Sequence, residues 1–80
     1  MEYNLLDIGP RLRDLRRAQR CSQQAVAEAA GLTKSTVSKV ETGRIIPSLP
    51  VLFALLRALS ENPEDFFKGA RFETPPPYTH

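Results

Sequence analysis

Eighty residues allow one domain at most, and with 41% apolar residues that domain has a modest core whose stability depends on every helix being docked. No run approaches the roughly 20 apolar residues needed to cross a bilayer, and a single cysteine excludes an internal disulfide. The net charge of +2 divides unevenly, −2 over residues 1–9, +5 over 10–44 and −1 over 45–80, so a basic excess occupies the middle of the chain. Such an asymmetry favours a polyanionic partner, although a solvated basic surface has the same composition.

The opening MEYNLLDI carries two acids and no basic segment, which does not read as a secretory signal; with the lone cysteine it fits a cytoplasmic protein. Residues 1–8 are expected to form an N-terminal arm, with Leu5, Leu6 and Ile8 available to tuck against the domain. The first helix is predicted from Gly9 or Pro10 to about Arg20. Ile8, Leu12, Leu15 and Ala18 or Gln19 recur at helical spacing, and Arg11, Arg13, Arg17 and Arg20 form the opposite, solvated face. Cys21, with no second thiol or clustered histidine nearby, reads as a small buried plug.

The stretch from Ser22 to Glu41 holds two short helix patterns. Ser22 can cap the first with its hydroxyl, Gly31 can leave it through left-handed backbone, and Thr33 can cap the second. Val26, Ala27 and Ala30 form a small apolar stripe on one helix, and Val37 and Val40 form an i, i+3 pair on the other. Small residues let two helices approach closely at a steep angle, the geometry of a helix-turn-helix. Lys34, Ser35, Ser38 and Lys39 remain outward on the second helix, a face of donors, hydroxyls and positive charge without a carboxylate.

Thr42 and Gly43 end that helix, and Arg44-Ile45-Ile46-Pro47 is expected to be extended because proline disfavours the helical region for its predecessor. Ser48 caps a fourth helix with Pro50 in its first turn. Leu49, Leu52, Leu55, Leu56 and Leu59 form its buried stripe, while Val51, Phe53 and Ala54 widen the apolar surface, so that Phe53 needs cover from the arm, the tail or a second subunit. Asn62 caps a short last helix that opens on Pro63, with Glu64 and Asp65 in its first turn, Phe66 and Phe67 closing the core, and Lys68 and Gly69 ending it. Beyond lies ARFETPPPYTH, which has no periodic apolar pattern and reads as a flexible proline-rich tail or truncated linker over 70–80. No glycine-rich phosphate loop, H-E-x-x-H or C-x-x-C is present and the only histidine is the last residue, so no enzyme, metal site or cofactor is expected.

Taken together, Arg16 late in the first helix, Ser22-Gln23 opening the second, Ala27, Gly31, the Ser38-x-x-Glu41-x-Gly43 run, Pro47-Ser48-Leu49 and Ala58-Leu59 resemble the phage-repressor and Cro-type helix-turn-helix domains of transcription regulators. The likeness covers about residues 8–68. It implies an all-α fold, a compact five-helix lambda-repressor-like bundle over residues 9–69 whose third helix enters the DNA major groove. By position, Lys34, Ser35 and Lys39 match residues that commonly meet base edges. Gln23 resembles a residue that holds a phosphate and braces the recognition helix, Thr33 one at the helix start near the backbone, and Ser38 a more peripheral one. Arg44, with Gly43, resembles the loop that runs along the DNA backbone, and Arg17 and Arg20 extend the basic surface toward phosphates. Arg16 and Glu41 correspond to an internal ion pair that links the first helix to the end of the third.

The resemblance implies double-stranded DNA as partner, no membrane, and a homodimer, because one short helix reads only a few base pairs. Phe53, Arg57, Pro63 and Phe67 are the dimer-interface candidates. A toxin protein or a C-terminal cupin-like sensor domain in a longer chain are further partners known for this type of domain, and an interaction module without DNA binding is a rival reading. Four positions depart from the family pattern. Arg20 stands at a turn position where glycine is usual, which leaves either a turn without left-handed backbone or a strained one; Ser60 replaces another frequent glycine, Cys21 a larger aliphatic residue, and Glu61 a buried valine.

Overall fold

Four polar side chains start four of the five helices. In the computed structural model, which describes residues 3–4, 7–68 and 70–71, Ser22 Oγ accepts from the Ala25 amide at 3.0 Å, Thr33 Oγ1 from Thr36 at 3.1 Å, Ser48 Oγ from Val51 at 3.4 Å and Asn62 Oδ1 from Glu64 at 2.8 Å. Each satisfies an amide that has no partner inside its helix. The elements in order are β1 (Tyr3–Asn4), α1 (Ile8–Ala18), α2 (Gln23–Ala30), α3 (Lys34–Glu41), α4 (Leu49–Ala58), α5 (Pro63–Phe67) and β2 (Ala70–Arg71). The bundle of five helices is all-α but for β1 and β2, which pair in parallel with Tyr3 opposite Ala70 and Asn4 opposite Arg71. Two residues carry no periodic signal, so the reading of the ends as arm and tail contains no strand. Leu5, Leu6, Gly69 and residues 72–80 lie outside the described residues.

The core joins all five helices: Leu12 from α1, Val26 and Ala27 from α2, Val37 and Val40 from α3, Leu52, Leu55 and Leu56 from α4 with Leu59 just after it, and Phe66 from α5. Burying each of the larger side chains stabilises the fold by about 1.5–3 kcal/mol. Phe66 is fully buried and meets the half-buried Phe67 edge-to-face, with centroids 5.1 Å apart.

Helices α1 to α4 end in one recurring motif. In each, an amide just past the helix bonds back five positions: Cys21 to Arg16 O at 3.1 Å, Leu32 to Ala27 O at 2.8 Å, Arg44 to Lys39 O at 2.9 Å and Glu61 to Leu56 O at 2.8 Å. The residue just before each of these amides has positive φ: Arg20 57°, Gly31 71°, Gly43 77° and Ser60 53°. These are Schellman ends, which pair carbonyls that the helix leaves open. Arg20 therefore adopts the left-handed turn and its strain, the second of the two alternatives for that position, and Ser60 does the same.

Several side chains sit elsewhere than their spacing suggests. Helix α1 stops at Ala18 because Gln19 and Arg20 already belong to its terminal turn. Leu49 is 64% exposed, since it is the first residue of α4 and the core begins one turn further along at Leu52. Arg11 and Arg13 are half-buried, not on a solvated face: Arg11 lies over the Phe66 ring, 6.0 Å from its centroid. Cys21 packs at the core's edge, half-buried, and Glu61 is half-buried in the turn after Ser60. Among the described residues no helix is long and apolar enough to cross a membrane.

Candidate nucleic-acid interface

Helix α3 divides cleanly. Val37, Val40 and Glu41 face inward and are buried; Lys34, Ser35 and Lys39 are exposed and Ser38 is half-buried beside them. At its start the Thr33 hydroxyl caps the helix and pairs with the Thr36 hydroxyl at 2.9 Å. At its end the Thr42 hydroxyl donates to Ser38 O at 2.8 Å, and the Arg44 and Ile45 amides both reach Lys39 O. Both ends are thus closed by local bonds, and the outward face is left to solvent.

What holds α3 from behind is a buried carboxylate. Arg16 clasps Glu41 through two bonds, Nε to Oε2 at 2.7 Å and Nη2 to Oε1 at 2.9 Å, and its Nη1 donates to the Cys21 carbonyl at 2.8 Å. Gln23 Nε2 donates to Glu41 Oε1 at 3.1 Å. One carboxylate therefore ties α1, the start of α2 and the end of α3 together. Burial alone would raise the Glu41 pKa, but the bonds from Arg16 and Gln23, with the charges of Arg16 and Arg13, outweigh it and hold the carboxyl below its ordinary value. The bond to Glu41 outweighs desolvation at Arg16 and raises its pKa further, so both partners stay charged.

Gly9 completes the clamp. It is buried on α1, and a Cβ there would collide with the carbonyl oxygens of Val40 and Glu41. Only glycine lets α1 approach the end of α3 this closely. Local patterning gives no sign of this, because the contact is tertiary and Gly9 reads equally well as a helix start before Pro10.

Of the remaining site residues, Arg17 at the end of α1, Arg20 in the turn after it, and Arg44 in the loop after α3 are all exposed. Phe53 and Arg57 of α4 lie close to Pro63 and Phe67 of α5. Phe53 and Pro63 line both of two neighbouring depressions, one completed by Arg57 and Glu61, the other by Glu64, Asp65, Phe67 and Lys68.

Comparison with known proteins bears on the family and the fold. The family model described as "Helix-turn-helix domain" matches residues 7–65. Over 59 residues the chain is 36% identical to the HTH-type transcriptional regulator PuuR of Escherichia coli, covering 74% of this chain and 32% of PuuR. It is 39% identical, again over 59 residues, to the uncharacterized HTH-type transcriptional regulator y4dL of Sinorhizobium fredii, covering 30% of that protein. The chain thus spans about a third of the length of these relatives, but 86% of the uncharacterized regulator YgzD of Bacillus subtilis, at 33% identity over 57 residues. Among solved structures, the restriction-modification controller protein C.AhdI from Aeromonas hydrophila superposes with a TM-score of 0.74 at 40% identity, over 79% of this chain and 96% of that one. A point mutant of the restriction-modification controller protein C.Esp1396I superposes with a TM-score of 0.76 at 18% identity, a likeness of fold alone, over 80% of this chain and 84% of that one. With a buried ion pair bracing a short third helix whose outer face is basic, and with the family model covering most of its length, the chain belongs to the helix-turn-helix domain family of transcriptional regulators.

Proposed function

We propose that the protein is a homodimeric, sequence-specific regulator, most simply a repressor, that reads a palindromic operator with α3 in the major groove. The observation that carries this reading is the outward face of α3: Lys34, Ser35 and Lys39 are exposed together, with no carboxylate among them, on a helix fixed at both ends. Lysine donates to guanine O6 or N7, and serine meets several base edges. Neither has a planar fork, so each contact discriminates toward the low end of about 1–3 kcal/mol. Gln23, Thr33, Ser38, Arg17, Arg20 and Arg44 are assigned to the phosphate backbone and the helix start. Affinity then falls steeply with salt.

Dimerisation is assigned to the face bearing Phe53, Arg57, Pro63 and Phe67. Its support is an apolar surface flanked by charges of both signs, Arg57 and Lys68 against Glu61, Glu64 and Asp65, which suits a two-fold contact. A second reading, in which this domain serves a longer regulator, is supported by PuuR and y4dL, whose lengths it spans by about a third.

Selection of bound fragments from random DNA tests the function: a palindromic consensus is expected, and no enrichment even at low salt refutes it. Charge reversal at Lys34 and Lys39 together should abolish binding to the selected site while shifting stability by no more than about 0.5 kcal/mol. Retained binding by that variant would remove α3 as the reading element.

A further inference from the structure

Helices α2 and α3 carry four side chains with an amide or carboxylate group, and the fold bonds them to one another in pairs. Gln23 Nε2 donates to Glu41 Oε1 at 3.1 Å, and Gln24 Nε2 donates to Glu28 Oε2 at 3.0 Å. Glu41 is in addition clasped by Arg16 and only 4% exposed. At the start of α3 the Thr33 and Thr36 hydroxyls are paired with each other. The outward chemistry of α3 therefore reduces to the ammonium groups of Lys34 and Lys39 and the hydroxyl of Ser35, with Ser38 half-buried beside them. Its charged donors stand without a free carboxamide fork or carboxylate. An ammonium has three donors and no acceptor. In the major groove guanine answers it with two acceptors, O6 and N7, whereas adenine and cytosine each put forward an amino donor. Reading adenine at N6 and N7 takes a carboxamide fork, and reading cytosine at N4 takes a carboxylate. On this surface those groups are the ones already engaged.

We propose that the operator is built on guanine: each half-site presents two G·C pairs to α3, one guanine accepting from Lys34 and the other from Lys39 through O6 and N7. The proposal rests on the DNA-binding reading above and gives that reading a base composition. Lys34 and Lys39 are five residues apart, about 7.5 Å along the helix axis. At about 3.4 Å per base pair, the two guanines lie about two steps from one another. Ser35 stands between them, and its hydroxyl, a donor with two acceptor lone pairs, meets either partner of the intervening pair without choosing one.

The test takes the site obtained by selection from random DNA and rebuilds it with single guanines replaced by 7-deazaguanine, which lacks N7 but keeps the base pair, or by inosine, which lacks only the amino group in the minor groove. Affinity is read by fluorescence anisotropy at fixed salt. Two G·C positions are expected in each half-site; 7-deazaguanine at either should weaken binding about fivefold, and inosine should leave it unchanged. Lys34→Ala and Lys39→Ala, shown by thermal melting to be folded, should each abolish the 7-deazaguanine effect at one of the two positions and keep it at the other. A consensus whose half-sites hold no G·C pair overturns the proposal. So does a 7-deazaguanine effect that is absent, that inosine matches, or that persists at both positions in both variants. Failure of wild type to enrich any fragment at low salt is a different result: it removes the DNA-binding reading itself.

Discussion

Ser60 and Arg20 hold left-handed backbone, at φ of 53° and 57°, in the same helix-ending motif that Gly31 and Gly43 occupy at 71° and 77°. A left-handed L-residue costs roughly 1–2 kcal/mol because its Cβ crowds the neighbouring carbonyl. Glycine removes that cost but loses about 0.5–1 kcal/mol more backbone entropy on folding. Ser60→Gly should therefore stabilise the protein by about 0.5–1 kcal/mol, since Ser60 is exposed and its side chain makes no hydrogen bond among the described residues. For a domain of this size that is a rise of about 3–6 °C in melting temperature, readable by circular dichroism. Gly31→Ala is the mirror experiment. A Cβ there meets nothing within 4 Å, so the change isolates the backbone and should cost about 1 kcal/mol. Arg20→Gly should gain as much as Ser60→Gly. The two turns are joined by Gln19 Nε2, which donates to Leu59 O at 2.6 Å, so the double variant should depart from additivity by a few tenths of a kcal/mol. A Ser60→Gly variant that melts at or below wild type, beside a destabilised Gly31→Ala, would refute the assignment of strain to Ser60.

Gly9→Ala should lower stability by about 1–3 kcal/mol, measured by urea unfolding, because its Cβ meets two backbone carbonyls that have no freedom to retreat; a neutral result would mean that α1 and α3 can part without loss. Arg16→Ala should cost about 3–5 kcal/mol by leaving the Glu41 carboxylate buried without its main partner, and should do so before any DNA preference changes. An unchanged melting temperature with binding lost would reverse that order. Glu41 has a depressed pKa in the fold, so its contribution is present above the unfolded value of about 4.3 and disappears as pH falls through the folded value. The stability gap between wild type and Glu41→Gln should accordingly be constant near neutrality and shrink below about pH 4; a gap independent of pH would show that the carboxylate's charge is not what matters.

Local chemistry was readable along the chain. Ser22, Thr33, Ser48 and Asn62 stand out because a cap bonds only two or three residues ahead, and the core residues of α2 and α3 follow from spacing alone. The outward face of α3 was visible as the complement of that stripe. What escaped depends on partners far away in sequence. Gly9 matters because of carbonyls more than thirty positions later, and Arg11 looked solvated because a helical wheel cannot say that the Phe66 ring comes to lie against it. Leu49 failed for a related reason, since a stripe says which face is inward but not where the covering helices stop.

The partition of α3 into two residue sets that share no member has a consequence for how such a protein changes. Val37, Val40 and Glu41 settle whether and where the helix sits; the side chains of Lys34, Ser35 and Lys39 are exposed and take no part in the core or in the Glu41 clamp. Substitutions of the second set's side chains carry little toll on folding, so the outer face of α3 can change in single steps, each leaving a folded protein. The same property makes the exposed trio a place to graft the outer residues of a related helix onto this frame.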